Sequence, residues 1–560
     1  MIPSPVKSAS RGADGSNRKR VGKLTLLRLI LAIFGALPVL ASGQEEGPEA
    51  TPAAAAGESE ARLNINQIRV RGAKLLSGDE IASAIYDFTG PNRTVADLEA
   101  ARQALEQAYR DKGFQTVTVE IPPQNGTRGI IYMDAIENEV GRLRVRGSRF
   151  YLPSAVKRAA PSLAEGTVPD FNEVQKDILA LNAWPGRRVT PVVQPGKRPG
   201  TIDVDLNVED EFPLHGSIEL NNRYSPDTTP LRVNASLSYN NLWQLGHSIG
   251  FAAQVAPERI EDAEVYSAYY IARFAKAPNF SLMVSGTKQN SDISTLGGAA
   301  VVGRGEVLGL RAMLTLPARG NYFHSVSTGF DYKSFDENIT LDDEIFSTPI
   351  DYYPFTIAYG GGLTGENFFT EINTSINFHF RGMGSRSATF DNKRYLSDGS
   401  YIYFRGDLSH THDLPGGFQA FAKIQGQATN DSLINSEQYA GGGLSTVRGY
   451  LESEALGDSG WFVTTELRSP SLLSWAGENE LGDPKHEWRF HVFYDGGRLY
   501  LNEALPEQID LYELSSVGVG SSLHLWDHFH GYVDVAWPMD DISDTPSDDP
   551  FWSFRVRADF

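Results

Sequence analysis

The feature that most constrains the fold is a strict alternation of apolar and polar side chains at the end of the chain. The alternating residues are Trp552, Ser553, Phe554, Arg555, Val556, Arg557, Ala558, Asp559 and Phe560. Successive side chains of a β-strand point to opposite faces, so this segment predicts a strand with one apolar and one polar face. An aromatic-rich alternation over about ten residues is typical of strands that separate lipid from water.

Similar segments precede this strand, and helical periodicity stops at about Leu214, after which we expect strands alone. We place sixteen strands at 214–225, 231–244, 247–257, 263–274, 280–290, 305–317, 322–335, 351–362, 367–381, 400–413, 418–430, 460–469, 487–499, 512–526, 529–538 and 552–560. Strands that span a bilayer must close into a barrel, because lipid cannot pair their backbone groups. The expected fold of residues 213–560 is a transmembrane antiparallel β-barrel of 16 strands, with a soluble β-sandwich as the alternative.

The lengths of the connections indicate from which side the chain enters the membrane. Several connections that follow odd-numbered strands are long, at 290–305, 335–351, 381–400 and 430–460. Those that follow even-numbered strands are mostly tight, as at 243–246 and 526–528, although 470–486 is longer. Because long connections of outer-membrane barrels lie at the cell surface, we expect the chain to enter from the periplasm. Residues 431–459 then form the sixth surface loop.

Residues 1–43 have the pattern of a secretory signal peptide. Basic residues precede an apolar run at Leu29–Leu40, and the small residues Ala41, Ser42 and Gly43 follow it. The run is shorter than the roughly 20 residues that a transmembrane helix needs. A membrane anchor starting near Leu24 is the alternative, and Arg28 disfavours it. We expect the mature protein to start near Gln44 and residues 44–62, rich in Glu, Pro and Ala, to be a flexible linker.

Two related units, 63–140 and 141–212, lie between this linker and the barrel. The first opens with the sequence Ile-Arg-Val-Arg-Gly at 68–72 and the second with Leu-Arg-Val-Arg-Gly at 143–147. In each unit a strand, two stretches of helical periodicity and two further strands follow one another. The sequence therefore predicts two α/β units with the order β-α-α-β-β.

Composition excludes or disfavours several classes of function. The chain has no cysteine, which excludes disulfides and thiolate metal sites. Residues 1–43 carry seven Lys/Arg and one Asp, so the remainder has a net charge of −26 where the whole chain has −20. Such an acidic protein lacks the basic surface of a nucleic-acid binder. We expect no nucleic-acid partner.

Isolated motifs do not indicate an enzyme or a cofactor. Gly457–Gly460 has the letters of a serine-protease motif but lies in a predicted surface loop, without matching His and Asp residues. His410 and His412 lie two positions apart and would share one strand face, as metal ligands can. We favour the alternative that they are ordinary polar residues near a periplasmic turn. The glycines at 297–305 lack the strand-to-helix context of a nucleotide site. Acidic residues at 342–344 and 540–549 are expected in surface loops, solvated or near ions that bridge lipopolysaccharide. We predict no catalytic residue, metal or cofactor.

The sixth surface loop carries the most specific resemblance to a known family. Residues 444–450 read Leu-Ser-Thr-Val-Arg-Gly-Tyr. Together with the signal peptide, the two units and the barrel, this motif resembles the POTRA-containing superfamily of outer-membrane insertases and secretion pores. The stretches 460–466, 493–497 and 534–538 resemble the twelfth strand, the thirteenth strand and the end of the barrel in that superfamily. Two units before sixteen strands most resemble two-partner secretion transporters of the hemolysin-activator or filamentous-hemagglutinin exporter type.

The resemblance implies a functional site in the barrel lumen. Its members are Val447, Arg448, Gly449, Tyr450, Glu466 and Asp495, and Phe560 is similar to the terminal signal read by the barrel assembly machinery. Strand alternation places Glu466 and Asp495 on the lumen side, where the guanidinium of Arg448 would bind their carboxylates. A solvated loop arginine is the alternative. Transporters of this type usually carry an N-terminal plug helix, but residues 44–62 show no amphipathic helix, so we expect the sixth surface loop to block the lumen.

These features predict an outer-membrane protein of a diderm bacterium, with its POTRA-like units in the periplasm. The expected function is a translocation pore that captures an unfolded polypeptide in the periplasm and secretes it across the outer membrane. Its expected partners are that client, outer-membrane lipid and lipopolysaccharide, and the barrel assembly machinery during biogenesis. The alternatives are an insertase that assembles barrel or surface proteins, and a passive porin with structural periplasmic domains.

Overall fold

A computed structural model describes residues 62–560 apart from 126–127, 185, 291–292, 295–300, 303, 337, 342–343, 348, 474–485, 507 and 543. The predicted signal peptide and all of the predicted linker except Arg62 lie outside the described residues. So do parts of three predicted segments: the glycine-rich stretch 297–305, the acidic stretch 342–344 and the connection 470–486. The described chain divides after Glu137 into two compact units.

The first unit is a small α/β domain with the predicted order of elements. Its elements are Gln67–Arg71, Gly78–Ile85, Val95–Asp111, Thr118–Glu120 and Ile130–Ile136. The central strand 130–136 pairs parallel with 67–71 and antiparallel with 118–120. Ser77 and Thr94 start the two helices with reciprocal capping boxes. The structure adds a two-stranded sheet, Leu63–Ile65 with Gly90–Arg93, that we did not predict.

Residues 139–210 repeat this architecture at the start of the second compact unit. The elements are Glu139–Arg146, Pro153–Arg158, a 3₁₀ turn Pro161–Leu163, Phe171–Asn182, Arg187–Pro195 and Thr201–Asp210. Strand 201–210 lies between the other two, parallel to 139–146 and antiparallel to 187–195. The helices cover one face of this sheet and bury Val156, Val174 and Leu181 against Val204 and Leu206.

This α/β domain contacts the first periplasmic turn of the barrel. The backbone N–H of Leu152 donates to Oε1 of Gln244 at 2.9 Å, and Nδ2 of Asn241 donates to the carbonyl of Phe150 at 3.2 Å. Trp184 lies so close to Gly246 that a Cβ there would be 2.7 Å from the indole ring. The glycine is therefore required for this contact, which fixes the domain against the second and third barrel strands.

The remaining strands form a closed antiparallel barrel, as predicted. They are Leu214–Asn221, Arg232–Leu242, His247–Val255, Glu264–Phe274, Ala277–Gln289, Gly305–Arg319, Tyr322–Phe335, Ile350–Tyr352 continued by Phe355–Thr364, Phe368–His379, Tyr401–Asp413, Gln419–Ala428, Ser459–Arg468, Glu487–Tyr500, Leu511–Leu525, Phe529–Pro538 and Phe551–Asp559. We number them barrel strands 1 to 16. Each corresponds to a predicted segment, with ends that differ by a few residues.

The described part of the barrel differs locally from the prediction of strands alone after Leu214. Barrel strand 8 is interrupted at Tyr353 and Pro354, because proline has no N–H to donate to the ladder. A short helix, Ser387–Lys393, lies in the connection between barrel strands 9 and 10. It buries Phe390 against Tyr352, so tertiary packing explains a helix that has no clear periodicity.

In barrel strands 12 and 13 the side chains lie on the faces that alternation predicts. Trp461, Leu467, Val492 and Tyr494 are exposed on the outer surface, where lipid would cover them. Their neighbours in sequence, including Phe462 and Phe493, are buried on the lumen side. Among the described residues no helix has the length and apolar character to cross a membrane.

Candidate functional site

The sixth surface loop folds back against the lumen side of the barrel wall. Its stem is a short hairpin in which Tyr439–Gly441 pairs with Ala455–Gly457. Val447 and Tyr450 near the tip are buried in a cluster with Phe462 of barrel strand 12 and Leu514 of barrel strand 14. Apolar side chains of the loop are therefore buried against the barrel wall. This packing places the tip of the loop inside the barrel.

Arg448 at the tip forms a bidentate ion pair with Asp495 of barrel strand 13. Its Nε and Nη2 atoms donate to the two carboxylate oxygens at 2.7 and 2.9 Å. The backbone N–H of Arg448 adds a third hydrogen bond to Asp495 at 3.1 Å. Both side chains are almost completely removed from solvent, with 7% and 1% of their surfaces exposed. Sequence analysis predicted this pair, and the structure brings the two residues together.

Two further carboxylates and an aromatic ring surround the Arg448 guanidinium. Nη1 donates to Oε1 of Glu466 at 2.8 Å and lies 3.8 Å from Oδ2 of Asp534. The guanidinium carbon is 3.5 Å from the centre of the Phe493 ring, a cation–π arrangement. Burial by itself would lower the pKa of Arg448, but the hydrogen bonds to Asp495 and the nearby carboxylates outweigh it and raise that pKa. Arg448 is therefore a permanent cation held by acidic side chains of three barrel strands.

The residues beside Arg448 fit the same pocket. Gly449 has a φ of +98°, and a Cβ there would lie 3.2 Å from the Cβ of Ala536. Both observations favour glycine at this position. The Tyr450 hydroxyl lies 3.0 Å from the carbonyl of Ser515 and 2.9 Å from that of Asp540. Burial raises the pKa of Tyr450 to about 12, so its hydroxyl stays protonated and able to donate.

A second ion pair of the loop was missed by sequence analysis. Glu452 accepts hydrogen bonds from Nε and Nη2 of Arg223, just beyond barrel strand 1, at 2.7 and 3.2 Å. Its backbone N–H donates to the carbonyl of Tyr224 at 2.9 Å. The partners are 229 positions apart in the chain. No local pattern marks a single glutamate or arginine as belonging to such a pair.

A third anchor, also missed, holds the stem of the loop on a different part of the wall. Glu437 accepts from Nζ of Lys333 at 2.6 Å and from the hydroxyls of Tyr352 and Tyr403 at 2.7 and 2.8 Å. These partners belong to barrel strands 7, 8 and 10. Burial alone would raise the pKa of Glu437, but Lys333 and the hydroxyl donors lower it below its ordinary value. The stem and the tip are thus anchored separately.

The isolated motifs have structural explanations. Asp458 in the protease-like segment accepts from the backbone N–H groups of Leu433 and Asn502 at 2.9 and 2.7 Å, which holds the base of the loop. His410 stacks on His412 and bonds to Thr370. Within the described part of the chain, no group of His, Asp and Glu residues could hold a metal ion.

Phe560 follows barrel strand 16 and lies against barrel strand 1. Its backbone N–H and carbonyl exchange hydrogen bonds with Gly216 at 2.9 and 3.0 Å. The exposed ring lies over Gly216, where a side chain would collide with it. The residue therefore closes the periplasmic end of the contact between the first and last strands.

Comparison with protein families identifies matches for both parts of the chain. Residues 200–523 match the family described as haemolysin secretion/activation protein ShlB/FhaC/HecB. Residues 63–138 match the POTRA domain of the ShlB type.

Curated relatives span most of the chain at low identity. The heme/hemopexin transporter protein HuxB of Haemophilus influenzae strain 86-028NP is 22% identical over 531 residues, which cover 91% of this chain and 89% of HuxB. The outer membrane transporter CdiB of Escherichia coli O6:K15:H31 is 24% identical, covering 76% of this chain and 72% of CdiB.

Solved structures share the fold. CdiB from Escherichia coli superimposes with a TM-score of 0.57 and 19% identity, covering 91% of this chain and 93% of that structure. BamA from Haemophilus ducreyi lacking POTRA domains 1–3 gives a TM-score of 0.53 at 14% identity, covering 89% and 100%. At these identities the likeness concerns the fold alone.

Proposed function

Because the chain belongs to the ShlB/FhaC/HecB family of haemolysin secretion/activation proteins, we propose that it exports one partner polypeptide across the outer membrane in a two-partner secretion system. Its barrel lies in the outer membrane and its POTRA-like units lie in the periplasm. The client reaches the periplasm unfolded, binds there, passes the barrel and folds outside. No nucleotide motif is present in the sequence, so folding of the client outside the cell supplies the direction.

Within the described residues of the first α/β unit, one sheet edge has backbone groups without a strand partner, and we propose that it captures the client. Strand 118–120 lies at one edge, and its Val119 N–H already donates to Glu106 at 3.0 Å while Arg102 donates to the Val119 carbonyl at 3.3 Å. Strand 67–71 lies at the other edge. Since the Gln67 N–H points inward to Gly129, alternation directs the backbone groups of Ile68 and Val70 outward. An extended client segment can add to this edge through backbone hydrogen bonds, without a particular side-chain sequence.

The observation that supports transport over passive permeation is the buried Arg448–Asp495 pair. A pore for small solutes has no need of a lumen loop held by three charged contacts. A polypeptide transporter needs an element that blocks the lumen in the absence of the client. That element must also leave the lumen as a unit when the client arrives. In this proposal the blocking element is the sixth surface loop. The contacts that hold its tip, here called the latch, are made by Val447, Arg448, Gly449, Tyr450, Glu466 and Asp495.

We further propose that the barrel assembly machinery reads Phe560 during biogenesis. Outer-membrane lipid and lipopolysaccharide cover the exposed apolar band, and acidic surface residues such as Asp541 face the lipopolysaccharide region. The protein uses no cofactor and catalyses no reaction in this scheme.

The test is secretion of a partner encoded by a neighbouring gene. The parent chain or the Arg448→Ala variant is co-expressed with that partner in a diderm host, and the partner is measured in the medium. We expect export by the parent and a strong decrease with the variant at equal amounts of folded barrel. A partner that stays in the periplasm with the parent contradicts the proposal. Loss of other barrel proteins on depletion would instead indicate an insertase, and a steady open conductance would indicate a porin.

A further inference from the structure

The contact between barrel strands 16 and 1, here called the seam, has a shorter ladder than its neighbour. Strand 16 pairs with strand 15 from Phe551 to Ala558, but with strand 1 only from Arg555 to Asp559. The partners in strand 1 are residues 217–221. Because strand 1 runs from the periplasm to the surface, this ladder covers the periplasmic half of the seam. The outer half, from Phe551 to Phe554, lies beyond it.

Side chains replace the backbone ladder in the outer half of the seam. One backbone hydrogen bond remains there, from Asn222 to the Phe554 carbonyl at 3.4 Å. The Asn222 amide supplies two shorter ones: Nδ2 donates to the Trp552 carbonyl at 2.7 Å, and Oδ1 accepts from the Phe554 N–H at 2.8 Å. The outer half therefore depends on where residues 222–224 are held.

The sixth surface loop holds those residues. Arg223 is bidentate to Glu452, with only 11% and 4% of the two side chains exposed. The Tyr224 carbonyl accepts the Glu452 N–H at 2.9 Å, and the Tyr224 ring lies 6.0 Å from that of Phe551 in strand 16. Burial lowers the pKa of Arg223, but Glu452 more than compensates and raises it, so Arg223 keeps its positive charge.

The same short segment of the loop also binds the other side of the seam. The Tyr450 hydroxyl contacts the Asp540 carbonyl, in the connection that leads into strand 16, at 2.9 Å. Oε2 of Glu454 accepts from Thr545 of that connection at 2.7 Å. Residues 450–454 thus bridge the end of strand 1 and the approach to strand 16, immediately after Arg448 and Gly449.

We infer that residues 450–454 clasp the outer half of the seam, with Arg223 and Glu452 as positioning residues that close it. Withdrawal of the loop tip from Asp495 necessarily pulls this segment away from both sides. Release of the lumen loop and opening of the outer seam are then a single event. The inference concerns the barrel alone, so it can fail while the transport function stands, and the reverse also holds.

Hydrogen–deuterium exchange of the full-length protein in bilayers tests the clasp. The measured region is the peptide that contains Phe551–Phe554, in which the Phe554 N–H faces the seam and donates to Asn222. We expect Arg223→Gln and Glu452→Gln each to increase the exchange rate there at least tenfold. Arg448→Ala should do the same, although it leaves the clasp residues in place. Exchange at 217–221, where the backbone ladder is complete, should change much less.

The matched control is Glu437→Gln, which removes the other buried acid of the same loop on strands 7, 8 and 10. It should leave exchange at Phe551–Phe554 within twofold of the parent. The clasp is refuted if Arg223→Gln leaves that exchange unchanged, or if Glu437→Gln raises it equally. Heat-modifiable gel mobility shows whether Arg223→Gln assembles. If it does not, Arg448→Ala is the deciding variant. Unchanged exchange at Phe551–Phe554 in Arg448→Ala would exclude coupling between release of the loop tip and opening of the seam.

Discussion

The most informative perturbation is removal of the Arg448 side chain from the lumen. In Arg448→Ala, Asp495 loses hydrogen bonds of 2.7 and 2.9 Å. Among the described residues, the hydrogen bond to the Asp495 carboxylate that remains is the one from the backbone N–H of residue 448. Breaking a buried ion pair by removing one partner costs about 3–5 kcal/mol. At about 1.4 kcal/mol per factor of ten, the ratio of latched to released loop falls by roughly one hundred- to several thousand-fold.

The barrel itself should tolerate this change. Its stability depends on a closed ladder of backbone hydrogen bonds, whereas the loop tip is held by the charged contacts of Arg448 and the apolar packing of Val447 and Tyr450. Arg448→Ala should therefore assemble normally but release the loop and impair export of the client. Arg448→Lys should be nearly as damaging, because a single ammonium cannot bind Asp495 in a bidentate manner and Glu466 as well.

A double-mutant cycle measures whether Arg448 and Asp495 act as one unit. Client secretion and deuterium uptake by residues 443–452 are compared for the parent, Arg448→Ala, Asp495→Asn and the double variant. All four are normalised to folded barrel by heat-modifiable gel mobility. The double variant should be little worse than either single variant. Fully additive losses, or export at the parent's level by Arg448→Ala, would refute the latch.

Three other predictions concern the same loop. Deletion of Gly441–Gly457 should raise ion conductance in planar bilayers well above that of the parent, and an unchanged conductance would mean that another element fills the lumen. Gly449→Ala, at a φ of +98°, should destabilise the folded loop tip by about 1–3 kcal/mol. The measurement is faster deuterium exchange of residues 443–452. Gly382→Ala is the control, because that glycine also has a positive φ but lies in open space outside the loop. Because the pKa of Glu437 is lowered in the folded protein, its contribution to stability is complete above the ordinary glutamate pKa of about 4.3 and is lost as the pH falls through the folded value. The melting temperature of the parent should therefore exceed that of Glu437→Gln at pH 7 and approach it in acid, and a difference that does not depend on pH would contradict this assignment.

The strand pattern of this protein can be predicted from its sequence because the cause of that pattern is local. Each barrel strand has lipid on one side and the lumen on the other, so alternation such as that from Trp552 to Phe560 determines both the strand and its faces. Capping boxes at Ser77 and Thr94 are local in the same way. The Arg448–Asp495 pair is predicted from the resemblance of residues 444–450 and 493–497 to a known superfamily, and alternation adds only that Glu466 and Asp495 face the lumen.

Features that depend on partners distant in sequence were decided only by the tertiary structure. The strand pair of Leu63–Ile65 with Gly90–Arg93 and the helix Ser387–Lys393 form because of what they pack against. Glu437 and Glu452 have no sequence signal, since each is a single acid whose partners come from strand ends far along the chain. The closure of the barrel brings Arg223 to Glu452 across 229 positions. Alternation determines which side of the wall a residue occupies, but strand order and register determine which charges meet there.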